Sequence, residues 1–154
     1  MTHKNRFQAV CIICSAGGHL TEALAATKDL KVPRYFVTFD QPHVHSVLKG
    51  EEVYFIQDPH QKLHLHFKNM FQAFMLFIRK RPKIVITPGA GIAVTLCLLV
   101  KLTGGKLIFI ETGARVTSPY VTGRILYRFS DLFIIQWEPL MRYYPKAIYG
   151  GVML

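Results

Sequence analysis

The sequence has few acidic residues and few cysteines. Nine Asp and Glu stand against nineteen Lys and Arg in 154 residues, which gives a formal net charge of +10. The three cysteines are an odd number, and no apolar leader with a small-residue cleavage site follows Met1, so a disulfide scaffold is excluded and a reducing cytoplasm is expected. The 51% hydrophobic content excludes a disordered chain, and the 18% charged content excludes a solvated helical rod.

The sequence also lacks a long, unbroken apolar run. The most apolar stretch, Ile84 to Val100, is interrupted by Pro88, Gly89 and Gly91, whereas a spanning helix needs about 20 apolar residues. We therefore expect a single domain over residues 1–154 with no transmembrane segment. A domain this apolar and this basic is typical of proteins that touch anionic membranes, nucleic acid or phosphorylated ligands. Because no nucleic-acid-binding signature accompanies the charge, we expect no nucleic-acid partner.

Short β-branched runs alternate with helical patterns, as in a parallel sheet with crossover helices. The predicted strands are Gln8 to Cys14, Arg34 to Phe39, Val53 to Ile56, Ile84 to Thr87, Lys106 to Ile110, Leu132 to Gln136 and Ala147 to Tyr149. The predicted helices are Leu20 to Leu30, Pro42 to Lys49, Leu63 to Lys80, Ile92 to Thr103, Tyr120 to Phe129 and Pro139 to Tyr144. This order predicts an α/β fold with a doubly wound, mostly parallel Rossmann-like sheet, which binds ligands beyond the carboxyl ends of its strands.

Glycine-rich turns follow two of these strands. Gly17 and Gly18 precede the first long helix, and Gly89 and Gly91 precede the helix from Ile92. A helix N-terminus offers backbone N–H groups and a positive dipole end, so each turn is a candidate phosphate or diphosphate site. Neither turn matches a dinucleotide or P-loop motif, and glycine required only for packing explains a single turn equally well. Two such turns at one sheet edge favour an anion site.

His19 and Glu111 are the candidate catalytic residues. His19 lies in the first glycine turn, where a neutral imidazole can accept a proton from an attacking hydroxyl or an imidazolium can pair with phosphate. Glu111 leaves the fifth strand and is the only acid between Asp58 and Asp131. It is a candidate base or sugar ligand, or a simple ion-pair partner of Arg115. Arg115 is itself a candidate diphosphate ligand.

The segment Leu63 to Lys83 combines an apolar stripe with many cations. Its stripe contains Leu63, Phe67, Met70, Phe71, Phe74, Phe77 and Ile78, and no acid occurs between Asp58 and Glu111. Such a helix can lie in an anionic bilayer interface, or its stripe can simply cover the sheet. The candidate membrane contacts are Lys68, Phe71, Phe74, Arg79, Lys80 and Arg81.

The cysteine and histidine spacings favour no metal site. Cys11 and Cys14 have C-x-x-C spacing, but residues three apart on a strand point to opposite faces, so we interpret both as core. His43 with His45, and His64 with His66, are two apart, which places each pair on different sides of a helix.

Six blocks in the same order give the chain a family resemblance. They are Cys14 to Glu22, Tyr35 to Asp40, Thr87 to Val94, Ile110 to Val116, Ser130 to Glu138 and Tyr144 to Gly151. Together they resemble the bacterial capsule and exopolysaccharide glycosyltransferase subunits, which are homologues of the membrane-recruiting subunit of the eukaryotic dolichol-pathway N-acetylglucosaminyltransferase.

The resemblance implies the N-terminal, lipid-acceptor-binding half of a GT-B glycosyltransferase, with the UDP-sugar-binding half on a separate polypeptide. In the similar domain of the peptidoglycan N-acetylglucosaminyltransferase, a longer glycine-rich turn ending in histidine faces the acceptor diphosphate, which carries over to Gly17, Gly18 and His19. The resemblance therefore implies a polyprenyl-diphosphate-linked saccharide as acceptor, no cofactor, and activity only with a donor-domain partner, which we expect to dock near Gly150 to Leu154. With no N-terminal anchor in the sequence, we expect the basic helix to hold the protein peripherally on the inner face of the plasma membrane.

Two other functions stay open at this stage. A non-catalytic scaffold would only activate and localise the donor subunit. A free-standing nucleotide-binding Rossmann enzyme would need an acid after the second strand to bind ribose, and Asp40 occupies that position.

Overall fold

The computed structural model describes residues 9–58 and 62–153, except for the side chain of Leu63. The strands are β1 (Val10–Ile13), β2 (Arg34–Thr38), β3 (Glu52–Phe55), β4 (Ile84–Thr87), β5 (Lys106–Ile110), β6 (Leu132–Ile135) and β7 (Ile148–Tyr149). The helices are α1 (Gly18–Thr27), α2 (Pro42–Val47), α3 (Leu63–Lys80), α4 (Ala93–Leu102) and α5 (Val121–Tyr127), and a 3-10 helix covers Glu138–Arg142.

The strands of the described residues form one sheet in the order β3-β2-β1-β4-β5-β6-β7, and every neighbouring pair is parallel. The order reverses between β1 and β4, because the chain first winds outward to β3 and then returns past β1. Right-handed crossovers place α1 and α2 on one face and α3, α4 and α5 on the other. On that second face α3 packs on α4, and α4 packs on α5. The predicted doubly wound α/β fold is confirmed.

The core is formed by nearly continuous apolar strands, as expected for a parallel sheet covered on both faces. All four residues of β1 are buried. Phe109 of β5 stacks on Phe133 of β6 with 4.7 Å between the ring centres, and Tyr127 and Tyr144 pack on Phe133 at 5.0 and 4.5 Å. Cys11 and Cys14 are buried free thiols, which confirms their interpretation as core, and burial raises the pKa of each to about 12.

Most element boundaries agree with the prediction to within two residues, and the differences lie at the ends. For the first strand, Ala9 and Cys14 flank the observed β1, and Gln8 lies outside the described residues. The consequential difference is in α1, which begins at Gly18 rather than Leu20. His19 therefore belongs to the first helical turn, not to the loop before it.

Helix α3 turns much of its predicted apolar stripe away from the sheet. Its inward side presents the small or polar Asn69 and Ala73 together with Leu76. Phe77 packs partly against the core, but Phe67 and Phe71 are 60% and 64% exposed, and Met70, Phe74 and Ile78 are exposed as well. The interpretation of the stripe as a sheet-covering face is wrong for most of its length, because the buried positions of α3 are Asn69, Ala73 and Leu76 instead. The side chain of Leu63 lies outside the described part of the protein.

Among the helices of residues 9–58 and 62–153, none combines the length and the apolar character that a bilayer-crossing segment needs.

Candidate functional site

A cleft of about 440 Å³ opens at the carboxyl edge of the sheet. Its walls come from α1, from the segments after β5 and β6, and from the C-terminal tail. The lining residues are Gly18, His19, Glu22, Thr112, Gly113, Ala114, Gln136 and Val152. The strand order reverses beside β1, so the cleft lies where doubly wound sheets bind their ligands.

The N-terminus of α1 faces this cleft. Among the described residues no side chain caps the helix, and its first turn holds no acid. His43 donates from its ring Nε2 to the Ala16 carbonyl and so holds the preceding turn. A Cβ at Gly17 or Gly18 would meet no atom within 4 Å, so packing does not require glycine at either position. The missing side chains instead leave the backbone open to a ligand, which favours the anion-site interpretation over the packing one.

The second glycine turn, which contains Gly89 and Gly91, lies against the ring of His19. Gly89 has φ = +106°, a left-handed conformation that favours glycine. A Cβ placed there would lie 3.5 Å from Phe109 Cζ and 3.8 Å from His19 Cε1, so the turn packs against the imidazole edge. Gly91 is exposed at the start of the next helix and lies outside the lining of the cleft. The two turns thus meet at His19, but only the first opens into the cleft.

His19 is paired with a carboxylate, Glu22, one helical turn later. His19 Nδ1 lies 3.4 Å from Glu22 Oε2. The other oxygen, Glu22 Oε1, accepts hydrogen bonds from the Gly113 N–H at 2.7 Å, the Thr112 hydroxyl at 3.0 Å and Gln136 Nε2 at 3.4 Å. Burial alone would raise the pKa of Glu22, but the nearby His19 ring and the hydrogen bonds from Gly113 and Thr112 outweigh it, so this pKa lies below its ordinary value. Glu22 is therefore ionised at neutral pH.

Glu111 lies beneath α5 rather than in the cleft. The residue is only 1% exposed, its Oε2 accepts a 2.8 Å hydrogen bond from the Tyr144 hydroxyl, and its Oε1 accepts one from the Thr112 N–H. Burial raises its pKa, against the opposing effect of the Tyr144 bond. A Cβ at Gly123 would lie 2.2 Å from Glu111 Oε2, which shows how closely the helix covers the carboxylate. Glu111 is thus connected to the cleft through its neighbour Thr112 and through its backbone carbonyl, which accepts a 3.2 Å hydrogen bond from Gln136 Nε2.

Two further predicted residues have protein partners. The Arg115 guanidinium lies over the Tyr120 ring at 4.8 Å, one residue beyond Ala114 in the cleft wall. Asp40, the candidate ribose ligand, pairs with His45 Nε2 at 2.7 Å on the surface. The structure thus holds Arg115 beside the cleft and Asp40 away from it.

The candidate membrane residues share α3 but differ in environment. Phe71, Phe74 and Arg79 are exposed, and Lys68 Nζ lies 3.4 Å from Gln57 Oε1. Lys80 instead forms a 2.6 Å ion pair with Glu52 and lies over the Tyr54 ring at 4.7 Å. Arg81 ends the helix in a left-handed conformation, with its N–H bonded to the Phe77 carbonyl.

The sequence interpretation missed several cleft residues, above all Glu22. The spacing of Glu22 from His19 is i to i+3, which places both side chains on one helix face, so the pair was detectable. Gln136, Thr112 and Val152 gave no comparable signal, because their place in the cleft depends on contacts made far along the chain. Within residues 9–58 and 62–153, no three His, Cys, Asp or Glu side chains gather as a group able to hold a metal ion.

Two solved structures resemble this fold, at sequence identities that carry information about fold alone. One is MurG from Acinetobacter baumannii, with a TM-score of 0.68 and 19% identity over 86% of this chain and 42% of that one. The other is the UDP-N-acetylglucosamine 2-epimerase from Rickettsia bellii, with a TM-score of 0.69 and 14% identity over 89% and 41%. The chain thus spans about two fifths of each and has the fold of one half of a GT-B protein.

Several proteins of known function are similar to this chain in sequence. The mouse UDP-N-acetylglucosamine transferase subunit ALG14 is 30% identical over an alignment that covers 91% of this chain and 80% of the mouse protein. The human subunit of the same name is 26% identical, covering 93% and 82%. The family described as "Oligosaccharide biosynthesis protein Alg14 like" matches residues 56–153, which include β4 to β7 and most of the cleft wall. On these matches, the chain belongs to the Alg14-like family of oligosaccharide biosynthesis proteins.

Proposed function

We propose that this chain is the acceptor-binding and membrane-recruiting subunit of a two-subunit glycosyltransferase. The complex would transfer a sugar from a UDP-sugar, held by a separate donor-domain subunit, to a polyprenyl-diphosphate-linked saccharide. The names of the ALG14 relatives support a subunit role, and the block resemblance supports a capsule or exopolysaccharide product. The observation that carries the proposal is the position of His19, on an uncapped helix N-terminus and inside the cleft.

In the proposed reaction His19 is the general base. The acceptor hydroxyl attacks the anomeric carbon, its proton passes to His19, and the bond from that carbon to UDP breaks with the electron pair leaving on UDP. The family resemblance implies inversion at the anomeric carbon. We assign Glu111, the other candidate, to support rather than proton transfer, because its buried carboxylate is bonded to Tyr144 and lies outside the cleft.

The acceptor diphosphate would bind at the start of α1. Gly17 and Gly18 are exposed and place no side chain over the start of the helix, and the helix dipole favours a bound anion. Gly91, at the start of α4, and Arg115, beside the cleft, would contact more distant parts of the same ligand. Gly89 would act indirectly by holding the His19 ring.

The exposed side of α3 would contact the membrane. Phenylalanines at 60% and 64% exposure are unusual on a free surface, and Lys68 and Arg79 lie on the same helix with Lys80 and Arg81 at its end. Anionic lipid headgroups attract such a surface while the aromatic rings enter the acyl boundary. The protein would thus be peripheral, on the inner face of the plasma membrane, where polyprenyl-diphosphate sugars are presented.

The donor subunit would dock beside the C-terminal tail. Ile148 and Tyr149 of β7 and Val152 after it are exposed, and Val152 also lines the cleft. A partner bound there would close the cleft from the side of the tail and place its UDP-sugar opposite His19.

The experiment is a transfer assay with labelled UDP-sugars and a polyprenyl-diphosphate-linked acceptor. It compares this chain alone, the donor subunit alone and the two co-expressed. We expect transfer only from the pair. Full transfer from the donor subunit alone would overturn the two-subunit proposal, and transfer by this chain alone would favour a free-standing enzyme.

A further inference from the structure

Glu22 is a buried acid that the proposed reaction leaves without a role. It is 5% exposed, and it lies on α1 behind His19 and beside the loop after β5. One of its oxygens, Oε1, has three donors: the Gly113 N–H, the Thr112 hydroxyl and Gln136 Nε2. A Glu side chain anchored this firmly has a fixed orientation, and that orientation directs Oε2 at His19.

The facing atoms of the pair, His19 Nδ1 and Glu22 Oε2, are both buried, and among the described residues neither makes a hydrogen bond of good geometry. Each is the charged or polar neighbour that the other faces, at 3.4 Å. Leaving a buried polar atom unpaired is costly, and an ionised carboxylate can only accept. The arrangement is therefore satisfied when Nδ1 carries the hydrogen and donates it to Oε2.

We propose that Glu22 is a positioning residue that holds His19 in the tautomer with hydrogen on Nδ1. A neutral imidazole has one donor and one acceptor nitrogen, so this tautomer leaves Nε2 with a free lone pair. The Cε1 edge of the ring rests against Gly89, and the side chain lines the cleft. The inference rests on the proposed function and deepens it by naming the atom that receives the proton, Nε2.

The substitution Glu22→Gln tests this proposal with little change of shape. Glutamine keeps one carbonyl oxygen, which the Gly113 N–H, Thr112 hydroxyl and Gln136 Nε2 would retain. Its NH₂ group would then replace Oε2 and donate to Nδ1. The hydrogen of the imidazole would have to move to Nε2, and the lone pair would be lost from the cleft.

The first readout is the tautomer itself, measured by nitrogen-15 NMR of the histidine rings in the full chain. At about pH 8.5 an ordinary imidazole is neutral, and the His19 signals are assigned by their loss in His19→Gln. We expect hydrogen on Nδ1 in the native chain and on Nε2 in Glu22→Gln. The matched control is Glu51→Gln, the same change at a carboxylate that pairs with Arg34 at the other edge of the sheet, and it should leave His19 unchanged.

The second readout is the turnover of the assembled transferase. Because a general base contributes about 100-fold or more to a rate, Glu22→Gln should lower kcat by roughly 100-fold with KM within about twofold. A native chain with hydrogen on Nε2 would overturn the proposal, even if Glu22→Gln did not fold. An unchanged tautomer in Glu22→Gln, or a changed tautomer with unchanged kcat, would overturn it too. Full activity of His19→Ala would instead contradict the proposed function, and the NMR result distinguishes the two failures.

Discussion

The two candidate catalytic residues, His19 and Glu111, occupy different environments, and the difference arises from single neighbours. His19 lies in the first turn of α1 and lines the cleft, with Gly89 in van der Waals contact range of its ring. Glu111 is enclosed because Gly123 lets α5 approach it and Tyr144 satisfies its Oε2. Two polar residues that follow strands of the same sheet thus occupy different environments: His19 is accessible from the cleft, and Glu111 is buried.

Replacing Gly123 by alanine should destabilise the fold. The added methyl group would lie 2.2 Å from Glu111 Oε2 and 2.7 Å from the Tyr144 hydroxyl, both deeply buried. Overpacking of this kind costs about 2 kcal/mol, measured as a loss in the free energy of unfolding by urea titration. Gly91→Ala is the control, since a Cβ there meets no atom within 4 Å. Equal stability of the two variants would show that α5 does not enclose Glu111 this closely.

The raised pKa of Glu111 makes part of the stability depend on pH. A carboxyl whose folded pKa is raised contributes stability that is full below its unfolded pKa of about 4.3 and is lost as the pH rises through the folded value. Glu111→Gln removes this titration. We therefore expect a smaller decline in the free energy of unfolding between pH 4.5 and neutrality in the variant than in the native chain. Parallel pH curves would contradict the burial of this carboxyl.

At the scale of elements, α3 shows the largest difference between what its sequence pattern suggests and where its side chains lie in the structure. Its apolar stripe is compatible with either a bilayer contact or a sheet-covering face, and its inward side consists of Asn69, Ala73 and Leu76. Asn69 donates to the Gln57 carbonyl at 2.8 Å, so a polar contact ties the helix to the end of β3. The side of α3 that carries most of its phenylalanines is therefore exposed.

The double variant Phe67→Ser, Phe71→Ser tests the proposal that this exposed side of α3 contacts a membrane. Both rings are exposed, so the free energy of unfolding should change by less than about 0.5 kcal/mol. Vesicle affinity should fall about 100-fold, because each buried ring contributes at least about 1.5 kcal/mol and 1.4 kcal/mol is tenfold. The measurement is co-sedimentation with vesicles of mixed anionic and neutral phospholipid.

A matched control for this variant exists on α5. Val121→Ser with Ile125→Ser removes two exposed apolar side chains from a different helix. This control should bind vesicles like the native chain. Equal losses in the two double variants would indicate unspecific apolar adsorption rather than a membrane contact on α3.

At the scale of the whole molecule, the sequence was sufficient to predict the sheet but not to predict which residues line the cleft. Apolar runs such as β1 and breakers such as Pro82 are local signals, so strand and helix positions follow from the chain itself. The pairing of Glu22 with Thr112 and Gly113 joins residues about ninety positions apart, and periodicity carries no such information. The inward side of α3 was missed for the same reason, since it depends on which strands lie beneath it.

The docking proposal predicts that the tail region controls assembly. Ile148→Glu should weaken binding of the donor subunit at least tenfold, the size of effect expected at an interface centre, without unfolding the chain, because Ile148 is exposed. Leu102→Glu, on the highly exposed end of α4, is the control and should bind normally. Titration calorimetry or co-purification measures both. Normal assembly of the Ile148→Glu variant would show that the donor subunit docks on a different surface.

The most direct test of the account is the turnover of the assembled pair carrying His19→Ala, with His45→Ala as the matched control. His45 is exposed, pairs with surface Asp40 and packs on the Phe55 ring, all away from the cleft, so its loss should leave kcat unchanged. We predict that His19→Ala assembles normally and loses at least about 100-fold in kcat, because the cleft then lacks its base. Undiminished turnover of an intact His19→Ala pair would contradict the shared active site and leave this chain as a scaffold for its partner.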